Sequence, residues 1–199
     1  EQEKTSNFDY RTVHVIPTTL LQSITRNLTM KNLILVFNAA MLTCCTSFAN
    51  DARFNYKIDL TQFEADSINV TLEVSGIGAD SLVFQFATTA PGTYQRFDAG
   101  RFVGNFRAFD KAENLLPVVR RNVNQFVINN ATHINKILYE VDDTQGSPIK
   151  ENPVIAAAGS NLEKDNALFN PAVVCGYVQG YQASPISVTF NYPRWWKVG

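Results

Sequence analysis

Phe54-Asn55-Tyr56-Lys57-Ile58-Asp59-Leu60 and Ile68-Asn69-Val70-Thr71-Leu72-Glu73-Val74 alternate apolar and polar residues without a break. Side chains of a strand point to opposite faces in turn, so this period of two marks strands with one dry and one wet face. Working outward, Leu82 to Phe86, Phe102 to Phe109, Val118 to Arg121, Gln125 to Ile128, Ile134 to Val141 and Ser184 to Tyr192 read as further strands. In the last of these, Ile186, Val188 and Phe190 share one face. Turn residues separate the runs: Gly76-Ile77-Gly78-Ala79-Asp80, Ala90-Pro91-Gly92 and Asp110-Lys111-Ala112-Glu113-Asn114. About eight short strands of this kind predict an all-β fold, an antiparallel β-sandwich.

The stretch from Asp142 to Leu168 does not fit the pattern. Thr144-Gln145-Gly146-Ser147-Pro148 breaks regular structure, and Pro153 to Ala158 has short helical potential. Connections of this length are uncommon, so it reads either as a binding loop or lid or as an excursion closing one end of the sandwich.

The residues before Asn50 belong to a different kind of segment. Met30-Lys31-Asn32, the apolar run Leu33 to Cys45, and Ser47-Phe48-Ala49 are the charged, apolar and small-residue parts of a secretory signal peptide. The apolar run falls well short of the roughly 20 residues that a spanning helix needs, so no stable transmembrane span is expected. Three segments follow: an upstream extension at 1–29 outside the translated protein, a signal-peptide helix at 30–49 cleaved after Ala49, and a β-sandwich at 50–199. The protein is then exported, to the periplasm or the medium. Two other readings stay open. Leu42-Thr43-Cys44-Cys45 loosely resembles a lipobox, which would anchor a lipoprotein through Cys45, and the run also suits a buried core helix.

Composition narrows the chemistry. Of 199 residues, 45% are hydrophobic and 14 are Phe, enough for a sizeable core. A net charge of −1 leaves no basic stripe for phosphates, so no nucleic-acid partner is expected. Beyond the leader there is one His, His133, and one Cys, Cys175. A catalytic zinc site takes three protein ligands, and there is no HExxH, no GxSxG elbow and no phosphate-binding glycine loop. No catalytic, cofactor-binding or metal-binding residue is assigned. Cys175 reads as a small buried hydrophobe, and His133 as a solvated residue in a hairpin loop. Asp142-Asp143 reads as a solvated turn or a hard-cation site. Arg96 and Asp98 flank Phe97 and are placed to form an ion pair, while Arg120 and Arg121 fall on opposite strand faces.

Ala90-Pro91-Gly92-Thr93-Tyr94, then Phe97, then Gly104-Asn105-Phe106-Arg107-Ala108 make a familiar series. It continues with Leu168-Phe169-Asn170-Pro171, Gly176-Tyr177, Pro185-Ile186-Ser187-Val188 and Pro193-Arg194-Trp195-Trp196. In this order, over roughly 52–199, the series resembles the N-terminal domain of the glycyl aminopeptidase-like zinc metallopeptidases. That family couples an N-terminal β domain to a thermolysin-like catalytic domain, often with a PDZ domain after it. The resemblance implies a non-catalytic piece of an exported zinc aminopeptidase whose catalytic domain lies outside this chain. It would pack on that domain in cis and shape the cleft that admits peptide substrate. Zinc would be held in the catalytic domain and by nothing here. Tyr94, Arg96 and Asn170 become the candidate interdomain or substrate-facing residues, against the plainer reading that they only shape the sandwich. The alternative function is a stand-alone secreted binding module for a carbohydrate or a protein.

Overall fold

The computed structural model describes residues 51–90, 93–147 and 149–197. The leader, both of its cysteines and the Pro91-Gly92 turn lie outside the described residues. All of the described residues fall in one unit, Ala49–Gly199.

The strands are β1 (Arg53–Asp59), β2 (Ser67–Ser75), β3 (Ser81–Gln85), β4 (Val103–Asp110), β5 (Leu115–Leu116), β6 (Val118–Asn122), β7 (Gln125–Asn129), β8 (Ile134–Asp142), β9 (Asn161–Leu162), β10 (Ala167–Leu168), β11 (Tyr177–Val178) and β12 (Ile186–Asn191), with one helical turn, α1 (Pro171–Val174). They form a six-stranded sheet in the order β12-β1-β2-β8-β4-β5, a four-stranded sheet β11-β3-β7-β6 and a small β10-β9 pair. The all-β expectation holds. Every pairing is antiparallel but one: β12 runs parallel to β1, with Phe54, Tyr56 and Ile58 opposite Ile186, Val188 and Phe190. A parallel neighbour needs a long crossover. Here nearly the whole domain supplies it, and alternation alone cannot reveal such a partner.

The period of two does its predicted work in β1 and β2. Phe54, Tyr56, Ile58, Ile68, Val70, Leu72 and Val74 all face inward and are buried. Their polar neighbours make a wet outer face, where Lys57 pairs with Glu73. The two large sheets meet through aromatic rings. Phe84 of β3 packs against Tyr139 of β8 at 5.9 Å between ring centroids, and Phe106 of β4 stacks on Phe126 of β7 at 4.1 Å. Such pairs favour offset or edge-on geometry and add about 0.5–1.5 kcal/mol each beyond area burial.

Two buried hydroxyls fix the turn after α1. Tyr56 donates to the Gly176 carbonyl at 2.5 Å, and Tyr139 donates to the Val174 carbonyl at 2.8 Å. Burial raises both phenol pKa values, so the rings stay neutral donors. Gly176 lies so close to Phe84 that an added Cβ would sit 2.2 Å from the ring edge. We therefore expect Gly176→Ala to destabilise the domain by about 1–3 kcal/mol, as overpacking does. Urea unfolding would check it, and adding Phe84→Leu should recover part of the loss because the two sites share the space. Full additivity of the two would refute this account.

Several details depart from the sequence reading. The strand predicted from Phe102 begins at Val103, because Ala99–Phe102 winds into a 3-10 turn. Ala131–His133 is a 3-10 turn joining β7 to β8, which lie in different sheets, so it is a corner between layers and not a hairpin. The stretch after Asp142 is neither bare loop nor lid. It contains a 3-10 turn at Ala156–Ala158 and the β9–β10 pair, and it buries Val154, Ala158 and Leu162 in the main core. Cys175 is partly buried against that core, and burial pushes its thiol up to about 12, which keeps it an unreactive packing residue.

Candidate functional site

The loop that carries Tyr94 and Arg96 is bonded to one end of the segment 151–160, and Asn170 is bonded to the other. Tyr94 and Arg96 lie on the loop between β3 and β4. Its stem is firm: Phe97 is fully buried, and the backbone N–H groups of Phe97 and Asp98 both donate to the Thr88 carbonyl, at 2.9 and 3.0 Å. Its tip is stitched across to the segment. Gln95 Nε2 donates to the Asn152 side chain at 3.1 Å and to the Pro153 carbonyl at 2.6 Å. Asn152 Nδ2 donates to the Arg96 carbonyl, and the Arg101 guanidinium donates to the carbonyls of Glu151 and Asn152.

Tyr94 stands at this tip fully in solvent, with φ of +51°. A left-handed backbone costs a residue bearing a Cβ roughly 1–2 kcal/mol. Arg96 is also exposed and makes the expected pair with Asp98, Nε to Oδ2 at 3.1 Å. In solvent that pair contributes about 0–1 kcal/mol. Asp98 is further held by Asn124 Nδ2 at 2.7 Å. Arg120 is exposed but lays its guanidinium over the Phe126 ring and donates to the Gly100 carbonyl, so it buttresses the loop stem.

Asn170 is placed differently. Its Oδ1 caps α1 by accepting from Ala172 N–H at 3.0 Å, and its Nδ2 donates to the Ala158 carbonyl at 2.6 Å. An Asn at the N-cap followed by Pro at the first helical position is a strong helix start. The side-chain amide is spent inside the fold, where it pins the far end of the segment that the Tyr94 loop grips.

Asp143 is the residue whose importance the sequence hid. It does not stand in a solvated turn. Its carboxylate is buried and accepts from the backbone N–H groups of Gln145, Gly146 and Leu162 at 2.5, 3.1 and 3.2 Å. Asn161 adds its amide nitrogen. Nearby, Asp66 has its pKa raised, first by desolvation and then by the charges of Asp143 and Glu163. A carboxyl with a raised folded-state pKa stabilises the fold fully below its unfolded pKa and loses that contribution as pH rises through the folded value. Asp66→Asn should therefore raise the melting temperature at pH 7 and give a shrinking advantage as pH falls towards 3. An equal gain at both pH values would point to the left-handed backbone at Asp66 (φ of +53°) instead of its charge.

No group of three or more His, Cys, Asp or Glu side chains among the described residues is arranged to hold a metal ion. No described helix is long and apolar enough to cross a membrane.

The fold and this segment define a β domain built on two large facing sheets. Comparison with known proteins carries the identification further. The sequence profile of the Peptidase M61 N-terminal domain matches residues 55–199, so the chain belongs to that family. In solved structures the chain is similar to an aminopeptidase N family protein from Idiomarina loihiensis, with a TM-score of 0.59 and 19% identity. That likeness, which shows the fold, covers 71% of this chain and 22% of the other. No curated protein matches the sequence.

Proposed function

We propose that this chain is the non-catalytic N-terminal domain of an exported, zinc-dependent aminopeptidase of the glycyl aminopeptidase-like kind. The observation that carries the reading is the family match over 55–199. On this reading the domain packs on a catalytic domain in cis, which holds the zinc and cleaves the peptide. Tyr94 and Arg96 reach from a stiff loop towards the substrate cleft, and Asn170 holds the ground beneath them. An exposed aromatic kept in a costly backbone conformation by a well-bonded stem is the local feature that supports this role. Export follows from the leader, with cleavage after Ala49 or, alternatively, lipidation at Cys45.

The test is a peptidase assay on the intact protein and on the 199-residue chain with added zinc. Activity is expected only in the intact protein. Turnover by the 199-residue chain itself would overturn the reading, and a reading frame with no HExxH beyond codon 199 would favour a stand-alone binding module. Within the intact enzyme, Tyr94→Ala should raise KM for peptides about 3–10-fold with little change in kcat, since a binding contact away from the reacting atoms is lost. Its melting temperature should not fall. An unchanged KM across several peptides would remove Tyr94 from the cleft.

A further inference from the structure

The inner face of β1 continues into β12, but its cover does not. Phe54, Tyr56 and Ile58 are 4%, 2% and 1% exposed. Their register partners on the same face, Ile186, Val188 and Phe190, are 57%, 43% and 40% exposed. The assignment of faces is secure because the other side of β12 is polar and bonded. Ser187 donates to Asn55 Oδ1 at 2.8 Å, and Asn191 donates to Asp59 Oδ1 at 3.2 Å. Thus an apolar row on the core side of the sheet stands largely in water at its edge, with Phe190 packed edge-on against Phe169 at 4.9 Å. β12 ends the sheet, with no strand beyond it among the described residues. The row runs into an apolar groove of about 370 Å³ lined by Leu60, Leu168, Phe169, Phe190, Tyr192 and Trp196. Rows of this kind in soluble proteins mark interaction surfaces, and an open strand edge invites a partner.

We propose that this row and groove seat an apolar segment of the peptidase domain in cis, which buries Ile186, Val188 and Phe190 as their β1 neighbours are buried by the fold itself, where Tyr181 packs on Phe54 and the Gly176 turn lies on Tyr56. The proposal rests on the functional reading above. The occupant follows from the functional reading, which places a catalytic domain after this one, and from the groove's position: Trp196 and Lys197, next to that junction, themselves line it. A domain attached there meets the row at an effective concentration in the millimolar range, which favours it over any partner from solution. The side chains that line it are mainly aliphatic and aromatic, with Lys197 as the one charge, a composition that suits the core of a protein–protein contact.

The experiment is hydrogen exchange on the intact peptidase, read at the peptide covering 186–192. Slow exchange there of the amides that face away from β1, as well as of those bonded to it, independent of protein concentration, is the expected result. Val188→Asp, and the milder Val188→Thr, should speed that exchange at least tenfold. Thr189→Asp, on the polar face, should not, and circular dichroism would check that each variant stays folded. Exchange as fast as in an open loop would overturn the proposal while leaving the peptidase reading intact, provided that the protein cleaves peptides. Protection that grows with concentration, with dimers in sedimentation, would overturn it in favour of a second copy. A protein without a peptidase domain after residue 199 would end both readings.

Discussion

Phe84→Ala should cost the domain about 3–5 kcal/mol, the range for emptying a fully buried aromatic site. Phe84 has no exposed surface and sits where the two large sheets meet. It belongs to β3, pairs in register with Phe126 of β7, and packs on Phe86, Phe106 and Tyr139 at 5.2, 5.5 and 5.9 Å. Its ring also lies against Gly176, in the turn that Tyr56 and Tyr139 hold by their hydroxyls. Removing the ring forfeits its transfer free energy and leaves a void that the two sheets cannot close without shifting those bonds. Domains of this size are stable by about 5–15 kcal/mol, so the loss is a large share of the total. Urea denaturation with an unchanged m-value is the measurement. A cost below about 1 kcal/mol would mean that the sheets do not meet at Phe84.

What the sequence disclosed and what it withheld divide along physical lines. Alternation tells which side chains share a face, so β1, β2 and the inward rows of β8 could be read directly. It does not tell whether anything lies over that face. Ile186, Val188 and Phe190 alternate as well as Phe54, Tyr56 and Ile58, yet only the latter are covered. The strands β5, β9, β10 and β11 have two residues each and carry no period to read. Tyr94 and Arg96 became candidates through resemblance, and their exposure on a stitched loop was not legible. The sequence reading does not take Asn170-Pro171 as a helix start although both residues suit those positions, and the bond from Asn170 to the Ala158 carbonyl depends on tertiary placement. Asp142-Asp143 looks the same in sequence whether it is wet or buried. Only the return of Leu162 and Asn161 decides it.

That return gives the second large effect. Asp143→Ala should destabilise the domain by about 2–4 kcal/mol, because a buried charge-assisted acceptor vanishes and its donors stay behind. Gln145 and Gly146 are exposed and can turn to water. Leu162 is 1% exposed and cannot, so its N–H is left orphaned in the core. Asp143→Asn should also cost stability, since one acceptor oxygen becomes an NH2 group facing other donors. The loss should be local in its first consequences. The bonds from Asp143 tie the start of the excursion to β9, and Thr144 adds two more to Ser160 at 2.9 Å each. Limited proteolysis of Asp143→Ala should therefore cut within 144–168 well before the β1–β2–β8 core opens, as expected when one cooperative unit is weakened more than the rest. The grip of Gln95 on Asn152 and Pro153 would loosen with it, so the Tyr94 loop should become sensitive next. A variant within about 0.5 kcal/mol of the parent, with no new cleavage between 144 and 168, would show that the buried carboxylate does not organise this segment.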